Sequence, residues 1–341
     1  MRIALLLTVA AFALDACARA DDGSGAVRVM TQNMDEGTGY QRLLGASTPF
    51  EFVSAVTATF QDIESTRPAE RAKALADEIV ARQPDLIGLQ EASVVRTGAA
   101  PAADVTSDLL HSLMDELAAR GNHYRVVAVA DRLDAEAPSL LGIDVRLTTR
   151  DAILARDRGD LEISNARGGA YAVNLQVPTP VGPITLPRGW LAVDVRTPHG
   201  AFTFVSTHLD TIAAIQSVQM TELLQVVAAM PMPLVLSGDF NSVADSPSDP
   251  THGTYVQTLA AGLQDAWTSK QSPGGGFTCC QDPALANAQS ALDQRIDWIL
   301  LRGMRAEAIA LVGDDPKDRT ASGLWPSDHA GVVASLRVDQ P

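Results

Sequence analysis

Apolar and polar positions along this chain alternate in many short runs, with a few stretches of helical spacing between them. Residues 26–30 (AVRVM) follow a period of two, the mark of a half-buried strand, and run into Thr31-Gln32-Asn33. Residues 35–62 have no clear period, and Gly37, Gly39 and Gly45 predict a loop with a short helix near 50–60. A clear helix follows. Pro68 suits its first turn, and Ala72, Leu75, Ala76, Ile79 and Val80 recur at helical spacing until Gln83-Pro84 stops it. Residues 85–89 (DLIGL) predict a buried strand delivering Gln90-Glu91, and 108–120 a second amphipathic helix closed by Gly121-Asn122. Strands are predicted at 124–130, 145–147, 152–156, 170–177 and 190–196, with 131–142 a polar loop.

The pattern sharpens toward the C-terminus. Residues 201–207 (AFTFVST) alternate strongly and end in His208-Leu209-Asp210, and 213–230 read as a helix. In 233–241 (PLVLSGDFN), Leu234, Val235 and Leu236 form a buried strand that breaks at Ser237-Gly238. Asp239 and Asn241, two apart, would project to one side at its C-terminal end, where open α/β sheets place their chemistry, while Phe240 turns into the protein. A short helix at 254–261, a loop over 269–289 and strands at 295–301 (RIDWILL) and 307–312 follow. A loop at 323–329 feeds the last strand, 330–338. With no repeat and no linker, the pattern predicts one layered α/β domain over 21–341.

Composition narrows the function classes. The chain has 341 residues, 46% of them hydrophobic and 20% charged, with a formal charge of -15. That field repels a polyanion at long range, and with Lys73, Lys270 and Lys317 as its only lysines the chain has no basic arm for nucleic acid. Residues 1–20 read as a secretory signal: Arg2, an apolar stretch over 3–14 too short to span a bilayer, then Ala18-Arg19-Ala20 before Asp21. The rival reading, a lipoprotein acylated at Cys17, is disfavoured by Asp15. No transmembrane segment is predicted. Beyond the signal, only the adjacent Cys279 and Cys280 remain. A bond between neighbours is uncommon, so two small loop residues are at least as good a reading.

Five predicted strands end in or carry a polar group that could converge: Asn33, Glu91, His208, the pair Asp239 and Asn241, and Asp297. Ser327-Asp328-His329 precedes the last strand. Asp297 interrupts an apolar run, and a buried carboxylate there needs a partner. Pointing opposite to Ile296 and Trp298, it is expected to hydrogen-bond His329 and not Arg295 or Arg302. Taken singly, each residue has a plainer reading as a strand end, a turn or a helix-cap neighbour.

Together, in this order, TQN, LQE, THLD, SGDFN, RIDWIL and SDH resemble the motifs of the endonuclease/exonuclease/phosphatase superfamily, across residues 31–329. The superfamily includes deoxyribonuclease I, abasic-site endonucleases, neutral sphingomyelinases and inositol polyphosphate phosphatases. The resemblance implies a four-layer α/β sandwich, two packed mixed β-sheets flanked by helices, and phosphate-ester hydrolysis with a divalent metal. Magnesium is favoured, and the hard oxygen donors also suit Mn²⁺ or Ca²⁺. By position it implies Glu91 as the main metal ligand, with Asn33 at the metal and Asp328 as a metal-side carboxylate. Asp239 would position or deprotonate the attacking water, and Asn241 would donate to a phosphate oxygen. His329, oriented by Asp297, would contact the phosphate, and His208 would face it.

Two places depart from the family. Gln32 stands where relatives often have tryptophan, and the 35–66 insertion is long enough to cap or flank the site. Arg150, Arg156 and Arg167 are candidates for a phosphate groove or ordinary surface arginines, and Arg156 is taken as a substrate contact. The expectation is an exported, monomeric phosphoesterase, a phosphodiesterase before a monoesterase. Nucleic acid and a phospholipid headgroup both remain open as substrate. A nuclease needs a local basic groove; a sphingomyelinase-like enzyme needs an exposed aromatic near the site, for which Trp325 is the candidate against core packing. A monoesterase on inositol phosphates or nucleotides needs neither. The rival from another class is a non-catalytic binding protein that keeps the fold.

Overall fold

The computed structural model describes residues 25–270 and 275–339; the expected leader, with Cys17, lies outside the described residues. The chain runs through β1 (Val27–Asn33), then helices α1 (Gln41–Leu44), α2 (Pro49–Ser65) and α3 (Pro68–Arg82). Next come β2 (Leu86–Gln90), β3 (Val94–Gly98), β4 (Asp104–Asp108), α4 (Leu109–Ala119), β5 (Tyr124–Pro138) and β6 (Asp144–Arg156). β7 (Glu162–Ala170), the hairpin β8 (Leu175–Val177) and β9 (Ile184–Leu186), β10 (Gly189–Thr197) and β11 (Gly200–His208) follow. The last part holds α5 (Ala213–Ala228), β12 (Leu234–Asp239), α6 (His252–Ala260), β13 (Gln264–Asp265) and α7 (Ala266–Lys270). It ends with β14 (Asp297–Arg302), β15 (Met304–Val312), a 3-10 turn at Pro316–Asp318 and β16 (Gly331–Val338).

Two mixed sheets pack face to face. One has eight strands in the order β15-β16-β1-β2-β6-β3-β4, with β5 also on β6; the other has six, β13-β14-β12-β11-β10-β7. β1 pairs parallel with β2, and β11 with β12. Between the sheets lies a core that includes Val29, Leu86, Phe204, Val235, Ile299 and Ala334. The outer face of the first sheet is covered by α3 and α4 through Leu75, Ile79, Leu113 and Leu117. That of the second is covered by α5 and α6 through Met220, Leu223 and Tyr255. The result is the expected four-layer sandwich.

Local chemistry sets the helix ends. Thr48 caps α2 by accepting from the Glu51 N–H, with Pro49 in the first turn, and Asp108 caps α4 by accepting from His111 N–H. Gln83, at φ +51°, closes α3 just before Pro84.

The period of two explains where the site falls. Along the central strands the inward series begins apolar and ends in a hydrogen-bonding side chain, passing a small or hydroxyl-bearing rung on β1, β2, β11 and β12. On β1 it reads Val27, Val29, Thr31, Asn33; on β2, Leu86, Gly88, Gln90. On β11 it reads Phe202, Phe204, Ser206, His208; on β12, Val235, Ser237, Asp239. On β14, read backwards, it is Leu301, Ile299, Asp297. The middle rung is closely packed, since a Cβ on Gly88 would lie 2.5 Å from Ser206 Oγ. Gln90 Nε2 donates to that hydroxyl at 3.0 Å and Thr31 Oγ1 donates to Gln90 Oε1 at 3.3 Å. So the site is the polar end of the sandwich core.

Several sequence expectations need correcting. The polar loop expected at 131–142 is largely strand: β5 continues to Pro138 along β6. It presents mostly exposed or half-buried side chains, so its pairing rests on the backbone ladder and the Asp134–Arg146 ion pair, not on an apolar face. The strand expected at 170–177 is two strands, split where Asn174 Nδ2 donates to Tyr171 O and its Oδ1 accepts from Arg188 N–H. The short helix near 50–60 is the 17-residue α2. Cys279 and Cys280, left open by the sequence as bonded or as two separate loop residues, lie side by side in the loop before β14.

Candidate active site

Asp239 forms the floor of the site. The strand ends on it because Gly238, at φ +148°, passes so close to β11 that a Cβ would lie 2.0 Å from Thr207 O. Asp239 is directly opposite Asp297 in the antiparallel β12–β14 pairing and beside His208 in the parallel β11–β12 pairing. Its Oδ1 accepts from Asn241 N–H at 2.8 Å, its Oδ2 from Asn33 Nδ2 at 3.0 Å, and His208 Nε2 lies 3.3 Å from the same oxygen. Burial pushes its pKa up, yet the imidazoles of His208 and His329 and the Asn241 N–H hold it below the ordinary carboxylate range. Arg188 Nη1 is 2.8 Å from His208 Nδ1. An arginine can only donate, so Nδ1 accepts and the ring hydrogen on Nε2 points at Asp239.

His329 and Asp297 are brought together as expected. His329 Nδ1 is hydrogen-bonded to Asp297 Oδ2 at 2.8 Å, and its other nitrogen faces Asp239 Oδ2 and Asp328 Oδ1, each 3.9 Å away. Burial opposes the imidazolium, but Asp297, Asp328 and Asp239 outweigh it and raise His329 well above the ordinary imidazole value. Ser327 Oγ donates to Asn33 O at 2.7 Å and accepts from His329 N–H at 3.1 Å, tying the last loop to the end of β1.

Carboxylates crowd the mouth. Asp35, Glu36, Glu91 and Asp328 gather beyond the strand ends, and Glu91 Oε2 accepts from Glu36 N–H at 3.1 Å. Burial, then Glu91, pushes Glu36 up to about 8 against hydrogen bonds from Tyr40 and Ser93. Burial and Asp35 raise Asp328 well above the usual range. Asp35, Glu91 and Asn241 all take the left-handed backbone region, at φ +54°, +56° and +50°. For a glutamate this costs on the order of 1 kcal/mol, strain of a kind that collects at functional sites.

This donor set fits a hard divalent cation. Glu91, Asp328 and Asp35 offer carboxylate oxygens, and burial together with the neighbouring carboxylates raises Asp35 and Asp328, which a cation would reverse. Asp297 Oδ1 is buried without a hydrogen-bond partner. Asp239, Asp297 and His329, with ligand-type atoms within 4.8 Å of one another, could also hold an ion, although two of them already bond each other.

Other placements differ from expectation. Asn241 does not simply project beside Asp239, because its left-handed turn sends Nδ2 to Leu209 O at 3.0 Å. Phe240 does turn inward and stacks on Trp298, ring centroids 4.4 Å apart. Arg156 does not reach the site. It adjoins Asp85 at the start of β2, six residues before Glu91, roughly 20 Å away along extended chain. Arg167 pairs with Asp194 at 2.9 Å, whereas Arg150 lines the cleft beside Glu91. Trp325 is buried, its indole donating to Asn287 O at 2.8 Å, so it offers no exposed aromatic.

Sequence reasoning missed Asp35, Glu36, Tyr40, Arg71, Arg132 and Arg188. Arg71 is fully buried and donates to the carbonyls of Thr66, Met34, Pro326 and Asp35, clamping the insertion to the loop before His329. One signal was available: Arg71 lies within the apolar stripe of α3, next to Ala72 and four residues before Leu75.

The model of the endonuclease/exonuclease/phosphatase family matches residues 30–329. A search of curated proteins finds no match. Among solved structures, a family protein from Leptotrichia buccalis C-1013-b is 14% identical with a TM-score of 0.60, covering 92% of this chain and 100% of that one. A mannosyl-6-phosphatase of Bacteroides thetaiotaomicron VPI-5482 is 18% identical with a TM-score of 0.56, covering 91% and 99%. The D. rerio protein TDP2, complexed with a single-strand DNA product, is 14% identical with a TM-score of 0.55, covering 92% and 99%. At these identities the neighbours show the fold, and the family model supplies the assignment. The chain belongs to the endonuclease/exonuclease/phosphatase family, whose members are metal-dependent phosphoesterases.

Proposed function

We propose that the chain is an exported, monomeric phosphodiesterase that uses a divalent cation, magnesium foremost. The observation that carries this reading is the 2.8 Å bond between His329 and Asp297, with the free imidazole nitrogen aimed past Asp239. Held at Glu91 and Asp328, with Asn33 and Asp35 beside them, the cation would polarise the phosphoryl oxygens as a Lewis acid. His329, kept protonated, donates from Nε2 to a phosphoryl oxygen as charge builds there. Asp239 accepts a hydrogen bond from the attacking water and aims its lone pair at phosphorus. Held below the ordinary carboxylate range it is a weak base, so it first aligns the water and takes its proton only as the new oxygen–phosphorus bond forms and the bond to the leaving oxygen breaks. Asn33 and His208 fix that carboxylate, and Asn241 keeps one amide N–H for a phosphate oxygen.

The acidic mouth supports a diester over a monoester, because a monoanion is repelled less than a dianion. Export rests on the signal-like residues 1–20. Intact mass of exported material checks it: a start near Asp21 agrees, and an acylated Cys17 does not. For the activity, the protein is offered plasmid DNA, RNA, sphingomyelin and small phosphate diesters and monoesters. Diester turnover that stops in excess EDTA and returns with magnesium is the expected result. Full turnover in EDTA would reject the metal assignment.

A further inference from the structure

An apolar groove of about 370 Å³ opens beside the acidic cleft. Its walls come from the insertion (Leu43, Phe52, Val53), from β6 (Leu147) and from the β8–β9 hairpin (Ile184). Tyr40, Leu133 and Leu186 line both the groove and the cleft that holds Glu36, Glu91, Arg188 and His208. Tyr40 is the hinge of the two, with its ring in the groove and its hydroxyl donating to Glu36. We propose that this groove holds an aliphatic chain of the substrate, so that the ester cleaved is an amphiphile whose phosphodiester lies in the cleft and whose alkyl or acyl arm lies along α2. This rests on the phosphodiesterase reading of the same site.

Three features favour an aliphatic occupant. The groove meets, at Tyr40, Leu133 and Leu186, the cleft that reaches Glu91 and His208, so a group lying in it can be covalently attached to a phosphate held at those residues. Its volume matches about a dozen water-sized groups, each near the size of one methylene, within the usual range for ligand pockets. Its walls offer little to a sugar, an inositol or a nucleobase. The Tyr40 hydroxyl is engaged by Glu36, Glu136 accepts from Ala102 N–H, and the unpartnered Thr59 Oγ1 is a single hydroxyl, so most of the donors and acceptors of such a group would go unpaired. At the rim Val181 is 58% exposed, and among the described residues the exposed Glu136 is the one charged side chain of the lining.

The test uses 4-nitrophenyl alkyl phosphates from ethyl to dodecyl, each below its micelle concentration, with magnesium. kcat/KM should rise at least about tenfold from the shortest chain to the longest, since burying two methylenes already suffices. Val53→Trp, which fills the groove, should abolish that rise and leave the ethyl ester unchanged; Val181→Asp, at the exposed mouth, should reduce it. A second arm measures binding of dodecylphosphonate by calorimetry. If no ester is cleaved but the phosphonate binds and Val53→Trp prevents it, the activity reading fails while the groove assignment stands. Equal kcat/KM for all chain lengths, or phosphonate binding insensitive to Val53→Trp, overturns the groove assignment. So does a groove substitution that changes the sedimentation coefficient instead, which would mark the groove as a contact between copies of the chain.

Discussion

On the floor of the site, Asn33, His208, Asp239 and Asp297 are each the last inward position of a paired strand. On the flank, Asp35, Glu36 and Tyr40 belong to the insertion and are held by side chains: Arg71, Ser93 and one another. The floor inherits its precision from two sheets whose register is fixed by a common core. The flank depends on a few hydrogen bonds and a small separate cluster around Phe52, Val56 and Leu147. Floors of this kind suit chemistry, which needs atoms fixed to fractions of an ångström; a flank of this kind suits selection of what is bound.

Substitutions can break that comparison, and the largest effect is expected on the floor. His329→Ala should lower kcat by a factor on the order of 10² or more with the fold intact, because the imidazolium acts only on developing charge. Next comes Arg71, which clamps the flank to the loop before His329. Arg71→Met leaves the carbonyls of Met34, Asp35, Thr66 and Pro326 without that donor and should cost about 3 kcal/mol or more in denaturant unfolding. Unchanged stability would mean that the flank is not anchored there. Glu91→Gln should raise the magnesium needed for half-maximal rate by about tenfold, with a smaller effect on the saturated rate.

The smallest effect is expected far from the site. Glu78, on α3, is buried with both carboxylate oxygens unpartnered, and burial, then Asp318 and Asp314, raise its pKa well above the ordinary value. The folded state therefore binds a proton that the unfolded state releases once pH passes the ordinary glutamate value, so stability falls as pH rises above it. Glu78→Gln should reduce that slope, to which Glu36 and Asp328 also contribute, and raise the Tm at pH 7 by about 2 °C or more. An unchanged slope would mean that Glu78 has no part in it.

The contrast also explains what could be read from the chain. The floor was legible because a strand ending in a hydrogen-bonding group leaves a short local pattern, and Asp297 stood out as a carboxylate inside RIDWIL. Its bond to His329 was expected from the family resemblance, with alternation giving the face of Asp297; the last strand, however, does not pair beside it, since β14 and β16 lie in different sheets. The flank was not legible. Glu36, Tyr40 and Arg188 reach the site by tertiary packing of segments with no period, and nothing in 35–62 distinguishes a site residue from a loop residue. Arg156 failed for a related reason: its position in a strand was recognised but not its end of the strand, which depends on how β6 runs against β2. The ribbon at 131–138 was missed because an edge strand facing solvent has the composition of a loop.

The most direct test of the His329–Asp297 pair is a double-mutant comparison of kcat under saturating magnesium. Asp297→Asn should lose rate, since His329 then loses both its orientation and part of the charge that keeps it protonated. If both residues act through one imidazole, the double variant, His329→Ala with Asp297→Asn, should be little worse than His329→Ala alone. A double variant whose loss equals the product of the two single losses would show that they act independently, and the pair would no longer carry the proposed mechanism.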